Sequence, residues 1–411
     1  MDAVGVRRIT GPDSARPEQG RPALHRAKGP IVAFFFFWLL AVALQVAGGC
    51  DRADFDGYPD EAAHYITGLM VHDYLLSGNL LHPMAYAENY YLHYPKVAIG
   101  HWPPAFYVLQ AAWMLLFGPS RISVLLLMAA ITAAVAAVMF IAGRPEFGPW
   151  WSGGAAAVFI CVPMVQAYTG MVMAESLLAL GGLLAVYSFA TYLETGATAP
   201  ALWFGAWSAV TILVKGNGWS LVLLPALALV LSGRASRFLD WRLWAGAAVA
   251  ALAVPWQLAT MHMAQQGWTG GSDGKYFRMA FPAFGEIFVH NVGWGLIALS
   301  LIGAAFEFFR PRTLNARLAP LTASLLSLVT AVWLFHSIVP AGVEDRKMIL
   351  ALPGLLLLAA AGASRLALIA GVKGAWAVAA AAIVSFGFEA FTIPVKPSDH
   401  FDEAARVARS V

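Results

Sequence analysis

Residues 30–49 read PIVAFFFFWLLAVALQVAGG and carry no charged side chain. A helix of this length is about 30 Å long, which matches the hydrocarbon thickness of a bilayer. Similar apolar runs recur at 121–142, 149–166, 171–193, 200–214, 217–232, 242–262, 285–306, 318–338, 347–363 and 374–394. The pattern predicts an all-α integral membrane protein with about 11 transmembrane helices.

The composition agrees with this class. Hydrophobic residues make up 60% of the chain and charged residues only 12%, whereas soluble domains carry about 25% charged residues. The formal net charge of +3 says little about partners, because membrane proteins distribute charge by side, and we expect no nucleic-acid partner. Cys50 and Cys161 lie in or beside apolar segments, so no disulfide framework is expected.

Loop charges give the predicted topology. Residues 1–29 are rich in Pro, Gly and Arg and lack apolar periodicity, so we expect a disordered cytoplasmic tail before the membrane domain 30–394. Three loops between later spans are basic and should also be cytoplasmic. Their basic residues are Arg234, Arg237, Arg242, Arg310, Arg312, Arg317, Arg365 and Lys373.

The short apolar segment 103–118 fits this charge pattern only if it does not cross the membrane. We expect an interfacial or re-entrant helix there, although roughly 12 spans remain an alternative because the loop 143–148 has little charge bias. The segments 50–100, 263–284 and 340–347 then face outward, and they hold the unusual polar residues.

The first outward segment contains DGYPDEAAHY at residues 56–65. Asp60, Glu61 and His64 lie within one helical turn and could share a face at the membrane surface. A carboxylate there could act as a general base, with His64 and Tyr65 lining the pocket. Acids also favour the first turn of any helix, so simple N-terminal stabilisation is the alternative.

Two cations lie on the predicted outward side. Lys215 stands in LVKGNG at residues 213–218, and Arg346 begins a late span. Lys and Arg are usually enriched in cytoplasmic loops. We therefore expect these two outward cations to bind an anion such as a phosphate. For Lys347 we expect pairing with the neighbouring acids Glu344 and Asp345 instead.

Further candidates lie at the ends of apolar segments. His101-Trp-Pro-Pro104 opens the segment 103–118, and its prolines suit a helix start. Trp102 suits the interfacial aromatic belt, and His101 and Lys96 would lie at headgroup height, where they could bind a lipid phosphate or only anchor the helix. Glu175 begins a span and could favour the helix start or line the pocket.

The first outward segment is also rich in histidine, namely His64, His72, His82, His93 and His101. Their spacing does not match a compact zinc motif, so we assign no metal ligands and expect no required cofactor; a divalent metal stays an alternative. The chain also lacks a phosphate-binding loop, a dinucleotide fingerprint and a nucleophile elbow.

Four of these motifs resemble, in order, those of the GT-C superfamily of polytopic glycosyltransferases. The similarity is greatest to the bacterial branch related to protein O-mannosyltransferases and the lipid A aminoarabinose transferase, and it covers residues 30–394. The motifs are Asp60-Glu61, His101-Trp-Pro-Pro104, Leu213-Val-Lys-Gly216, and Glu344-Asp-Arg346 with Pro353 in the span that follows.

The resemblance implies an enzyme that moves a hexosyl or pentosyl group from a polyprenyl-phosphate donor, with inversion, to an extracytoplasmic glycolipid, polysaccharide or protein. It implies that Asp60 is the catalytic base with Glu61 beside it, and that His101 and Arg346 contact the donor phosphate. Here Ala62 and Ala63 separate the acids from His64, one residue more than in protein mannosyltransferases, which puts a protein acceptor in doubt.

We therefore expect a multi-pass protein of a bacterial inner membrane with its active site on the extracytoplasmic side. A lipid-linked-sugar flippase without catalysis and a metal-dependent oligosaccharyltransferase-like enzyme are the alternatives. Residues 395–411 are predicted to form a short extracytoplasmic helix, which could also be the first helix of a soluble domain like that of many relatives.

Overall fold

The computed structural model describes residues 23–55, 58–78, 81–98, 100–265, 274–309 and 318–397, together with 406, 407 and 410. Within these residues every regular element is a helix.

The α-helices are, in chain order, α1 (Ala23–Ala47), α2 (Pro59–Leu76), α3 (Pro83–His93), α4 (Ala105–Phe117), α5 (Arg121–Phe147), α6 (Pro149–Cys161), α7 (Pro163–Thr169), α8 (Glu175–Thr195), α9 (Thr198–Val214), α10 (Leu224–Leu231), α11 (Trp241–Ala250), α12 (Val254–Gln265), α13 (Gly274–Phe309), α14 (Pro320–Ile338) and α15 (Leu352–Glu389). Short 3-10 helices lie at Gly216–Leu223, Ala235–Leu239, Ala251–Ala253 and Asp345–Ala351.

Seven helical segments in the described part of the chain are long and apolar enough to cross a membrane. They are Gly29–Ala47, Arg121–Phe147, Glu175–Thr195, Trp241–Met263, Gly274–Phe309, Pro320–Ile338 and Asp345–Glu389. An eighth arises if α6 and α7, which meet at a bend of 62°, count as one broken span. The prediction of an all-α, multi-pass membrane protein is confirmed, and the count of about 11 spans stays a prediction.

Several helices differ from the predicted segments. The predicted spans 347–363 and 374–394 correspond to two helices that meet at a kink at Gly371 (φ 71°) and are labelled together as α15, and the second helix ends at Glu389. Gly293 bends α13 in the same way (φ 75°), and glycine is the residue that adopts such angles without strain. The predicted outward loop 263–284 is wrong from Gly274 onward, because α13 begins there.

The outer ends of the predicted membrane domain also differ. Helix α1 begins at Ala23, inside the stretch expected to be a disordered tail, and residues 1–22 lie outside the described residues. Residues 391–397 form a non-helical segment after α15, which we call the strap. Most of the helix predicted for 395–411 lies outside the described residues.

The core lies among α5, α8 and α14, where 67% of the residues in the most apolar 18-residue stretch of each helix are buried. Helix α1 lies at the periphery, with 17% of the corresponding residues buried. Small residues let the helix backbones approach closely. A Cβ atom on Gly303 would lie 2.2 Å from the carbonyl oxygen of Leu358, and one on Gly362 would lie 2.0 Å from that of Leu299. Helices α13 and α15 therefore pack backbone to backbone.

Candidate active site

The Arg346 guanidinium is the centre of a charged cluster. Its Nη1 atom lies 2.8 Å from Oδ2 of Asp60 and 3.9 Å from Oε1 of Glu175. Its Nε atom donates a 2.5 Å hydrogen bond to Oε2 of Glu344, and its Cζ atom lies 4.5 Å from the centre of the Tyr58 ring. One cation is thus shared by carboxylates from three separate parts of the chain.

Helix ends bring these side chains together. Pro59 and Asp60 begin α2, and Glu175 is the first residue of α8. Carboxylates are favoured at helix N-termini, where unpaired backbone N–H groups carry partial positive charge. Arg346 lies in the 3-10 helix Asp345–Ala351, directly after the turn that leaves α14. The cluster therefore forms where several helices start or end at one side of the bundle.

Lys215 supplies the second cation of the cluster. It follows the last residue of α9, and its Nζ atom donates a hydrogen bond to Oε1 of Glu175. The two side chains are 11% and 0% exposed. The other carboxylate oxygen of Glu175, Oε2, is buried and has no hydrogen-bond partner within the described residues. The structure therefore brings Lys215, Glu175 and Arg346 together, as expected for neighbours in one site.

The two acids before Arg346 both fix its position. Tyr58 donates a 3.3 Å hydrogen bond to Oε2 of Glu344, and the backbone N–H of Arg346 donates a 2.7 Å bond to Oδ1 of Asp345. Burial of Glu344 would raise its pKa, but the Arg346 guanidinium overcomes this effect and holds the pKa of Glu344 below its usual value. Glu344 is thus charged at neutral pH.

Lys347 is held separately from Arg346. Its Nζ atom donates hydrogen bonds to the carbonyl oxygens of Ala341 and Gly342, the second at 2.6 Å, and lies 3.9 Å from Oε1 of Glu344. Lys347 thus lies near Glu344, one of the two acids expected to pair with it, while its hydrogen bonds go to backbone carbonyl oxygens.

Glu61 does not take part in the Arg346 contacts found for Asp60. It is fully buried, and its Oε1 atom accepts hydrogen bonds from Lys396 Nζ at 2.6 Å and from the backbone N–H of Val172 at 3.2 Å. Neighbouring residues on a helix point about 100° apart, so Asp60 contacts Arg346 while Glu61 contacts Lys396.

His64 and Trp102 form an aromatic wall next to the start of α2. The His64 ring lies 4.2 Å from the Trp102 ring, and its Nδ1 atom is 2.8 Å from the hydroxyl of Tyr107. His64 is 1% exposed, and this burial lowers its pKa well below the usual value, so the ring is neutral at pH 7. His101 packs edge-on against Trp102 with ring centres 4.8 Å apart.

Two other predicted site residues lie outside these contacts. Tyr65 points away from the cluster: its hydroxyl donates to the carbonyl oxygen of Pro119, and its ring lies 4.4 Å from that of Phe55. Lys96 is exposed in the turn after α3.

No three His, Cys, Asp or Glu side chains converge as possible metal ligands in the part of the chain that the structure describes. The histidines of the first outward segment have separate surroundings. His72 pairs with Asp73 at 2.8 Å, whereas His93 hydrogen bonds to the carbonyl oxygen of Asn89 in its own helix at 3.0 Å.

Sequence reasoning missed three notable residues. Tyr58 stacks on Arg346, and nothing local distinguishes it from other loop tyrosines. Lys396 is an outward cation by the same topology that singled out Lys215, so the same charge argument would have found it. His336 lies in the last turn of α14 with neither ring nitrogen partnered among the described residues, and a histidine inside an apolar run is itself a signal.

A separate apolar groove of about 990 Å³ lies between α6, α13 and the two halves of α15. Trp150 and Trp376 lie along it, and Phe391, the first residue of the strap, also lines it. The groove contains none of the charged residues described above.

No protein-family model matches the chain, and no curated protein matches it. Among solved structures, the chain is similar to ArnT from Cupriavidus metallidurans bound to undecaprenyl phosphate, with a TM-score of 0.57 and 19% sequence identity over 83% of this chain and 61% of that chain. Against the same protein in the apo state, the TM-score is 0.53 and the identity 18%, over 85% and 62% of the two chains.

This chain thus spans about three fifths of the length of the two ArnT structures. Identities this low show a common fold and leave the reaction to be argued from the residues of the site. The chain shares the fold of ArnT over most of its length, in agreement with the resemblance of its sequence motifs.

Proposed function

We propose that this protein is a membrane glycosyltransferase that moves a monosaccharide from a polyprenyl-phosphate donor to an extracytoplasmic acceptor. The observation that carries the proposal is the direct contact of Asp60 with Arg346, which sets a carboxylate beside a guanidinium in one cluster. The similarity in fold to ArnT, one of whose structures holds undecaprenyl phosphate, supports a lipid phosphate as the ligand of that guanidinium.

Arg346 and Lys215 are the proposed contacts of the donor phosphate. A guanidinium has five N–H donors, and Glu344 already accepts from its Nε, so Nη1 and the remaining donors are available once Asp60 releases them. Lys215, which pairs with Glu175, supplies the second cation of the cluster. Two fixed cations would stabilise the phosphate as it gains negative charge on leaving the sugar.

Asp60 is the proposed general base. The acceptor oxygen or nitrogen attacks the anomeric carbon of the donor sugar while its proton passes to the Asp60 carboxylate. The bond between that carbon and the phosphate oxygen breaks, and the electron pair leaves on the phosphate. Because nucleophile and leaving group lie on opposite faces of the carbon, the configuration inverts.

The remaining predicted residues have supporting roles in this proposal. His64 and Trp102 form the wall against which the sugar would pack, and His101 extends that wall toward the exposed surface. We assign no catalytic role to Glu61, because its carboxylate is bound by Lys396. Lys96 remains a candidate contact for the lipid headgroup outside the cluster. No metal enters the step, since the two cations supply the positive charge; added EDTA should leave the rate unchanged.

The loop charges support the proposed side of the site. Basic loops are favoured in the cytoplasm, which supports an outward-facing cluster at the opposite ends of the helices. We therefore propose a bacterial inner membrane protein acting on a glycolipid, polysaccharide or protein at the extracytoplasmic surface.

The test uses purified protein in nanodiscs, a panel of radiolabelled undecaprenyl-phosphate hexoses and pentoses, and a cell-envelope extract as the source of acceptors. The wild type should transfer label from one member of the panel, and Asp60→Asn should lower that rate at least about 100-fold while still binding undecaprenyl phosphate. Glu88→Gln, which changes an exposed acid in the same outward segment, is the matched control.

Near-normal transfer by Asp60→Asn would remove Asp60 as the base. Movement of the labelled lipid across the bilayer without cleavage by the wild type would instead support a flippase and overturn the proposed reaction.

A further inference from the structure

We propose that Lys396 is a positioning residue for Asp60. In this arrangement the strap (residues 391–397) holds the first turn of α2 in place through the buried pair of Lys396 with Glu61. The inference rests on the proposed role of Asp60 as the base, and it assigns Glu61 a structural role as the partner of Lys396.

The pair itself is buried and shared with the bundle. The side chains of Lys396 and Glu61 are 4% and 0% exposed, and their charged atoms are 2.6 Å apart. Lys396 Nζ also donates to the carbonyl oxygen of Gly170 at 3.3 Å, while the backbone N–H of Val172 donates to Glu61. The pair therefore joins the strap, the first turn of α2 and the connection between α7 and α8.

The strap is fixed along its length as well. The backbone N–H of Lys396 donates a 2.9 Å hydrogen bond to the carbonyl oxygen of Gly48, just after α1. The side chain of Gln166 donates to the carbonyl oxygen of Thr392 at 3.1 Å. A Cβ atom on Gly48 would lie only 2.6 Å from the carbonyl oxygen of Pro394, so the strap lies directly on the end of α1. Lys396 is thus presented from a fixed backbone.

Helix α2 needs such a fixed point at its start. The residue before it, Tyr58, makes no side-chain capping hydrogen bond to the first turn. The turn is instead held by the contacts of Tyr58 with Glu344, of Asp60 with Arg346 and of Glu61 with Lys396. A donor phosphate that takes Arg346 would release Asp60, which leaves the Glu61 pair to keep the turn in position.

The properties of buried ion pairs favour positioning over simple stabilisation. The cost of desolvating two charges cancels much of their attraction, so such a pair adds little net stability compared with packed apolar side chains. We infer that here the pair fixes the geometry of the first turn, a role that buried ion pairs have in some proteins. A base displaced by about 1 Å can lose roughly 100-fold in rate, so a fixed first turn matters for catalysis.

Four variants in nanodiscs test the inference: Lys396→Met, Lys396→Arg, the double variant Glu61→Gln with Lys396→Met, and Lys373→Met as the matched control on an exposed lysine. The first readout is hydrogen–deuterium exchange of the backbone amides of residues 58–65. The second is transfer of label from the undecaprenyl-phosphate sugar used by the wild type, resolved into kcat and KM. The third is affinity for undecaprenyl phosphate.

In Lys396→Met we expect amide exchange at 58–65 to rise about 10-fold, since the turn opens locally without global unfolding. We expect kcat to fall about 100-fold with little change in the donor KM or in undecaprenyl-phosphate affinity. Lys396→Arg keeps the charge and should recover about 10-fold of the lost rate. The double variant leaves no unpaired buried charge but also no anchor, so it should recover thermal stability and not the rate. Lys373→Met should match the wild type.

Unchanged exchange at 58–65 together with unchanged kcat in Lys396→Met would overturn the inference. So would exchange that rises equally in α5 and α8, because that pattern is global destabilisation. Normal transfer by Asp60→Asn overturns the proposed function instead, and the exchange experiment then still decides whether Lys396 holds the turn.

Discussion

Asp60 and Arg346 are 286 positions apart in the sequence and form a direct ion pair, with Oδ2 and Nη1 2.8 Å apart. In the proposed reaction Asp60 is the base and Arg346 binds the donor phosphate. The ion pair therefore engages both groups before the donor binds. Donor phosphate and Asp60 then compete for the same guanidinium. Binding of a lipid phosphate to Arg346 would therefore free the Asp60 carboxylate to act as the base.

This competition predicts opposite effects of two substitutions on lipid-phosphate binding. Asp60→Asn removes a competitor for Arg346, so affinity for undecaprenyl phosphate should stay equal or rise. Arg346→Gln removes a charge-assisted contact of about 1.5–3 kcal/mol, so affinity should fall about 10- to 100-fold. Titration of each variant in nanodiscs, followed by native mass spectrometry, measures both. Weaker binding by Asp60→Asn would contradict the competition.

The pair of Lys215 with Glu175 predicts a non-additive effect on stability. Each single neutralisation, Lys215→Met or Glu175→Gln, leaves a buried charge without its nearest partner. The cost is up to about 3–5 kcal/mol, since Arg346 still lies 3.9 Å from Glu175 in Lys215→Met. The double variant leaves none and should recover most of the loss in thermal stability. Additive losses across the double-mutant cycle would mean that the two groups do not interact. The double variant should still bind undecaprenyl phosphate more weakly than the wild type, because it lacks the Lys215 cation.

The fold could largely be predicted from the sequence because a bilayer sets the length of each apolar run. The break in α15 was predicted, since Gly371 lies between the predicted spans 347–363 and 374–394, but the bend in α13 was not. Gly293 lies in an apolar run like many other glycines, and its sequence context does not show that it takes a positive φ. The segment 274–284 was predicted as a loop because it contains the charged residues Lys275 and Arg278, yet it forms the first turns of α13.

The sequence predicted one side of the membrane for Asp60, Lys215 and Arg346, and the structure brings the three into one cluster through Glu175. The sequence could not supply their partners, because the pairing of Asp60 with Arg346 depends on how the start of α2 lies against the 3-10 helix Asp345–Ala351. The difference between Asp60 and Glu61 was equally inaccessible. Adjacent acids look alike in a sequence, and only the position of Lys396 shows that Glu61 is bound elsewhere.

The buried, neutral His64 predicts an acid-sensitive fold. Its pKa is lowered in the folded state, chiefly by burial and then by the positive charge of Lys215, Arg346 and His101, although Asp60 opposes this. The unfolded chain therefore binds a proton first, and the contribution of His64 to stability is lost as the pH falls below about 6.5. The unfolding temperature should drop between pH 7 and pH 5, and His64→Gln should flatten that slope. An identical slope in the variant would contradict this origin.

The close contact of α13 with α15 predicts that one added methyl group is enough to disturb the bundle. In Gly303→Ala the new Cβ would lie 2.2 Å from the carbonyl oxygen of Leu358, a backbone atom that cannot move aside alone. Overpacking of this kind costs about 1–3 kcal/mol, which should lower the unfolding temperature of the protein in detergent. Gly154→Ala is the matched control, because its Cβ would meet nothing within 4 Å and alanine favours the helix. Equal unfolding temperatures for the two variants would show that α13 and α15 do not pack backbone to backbone.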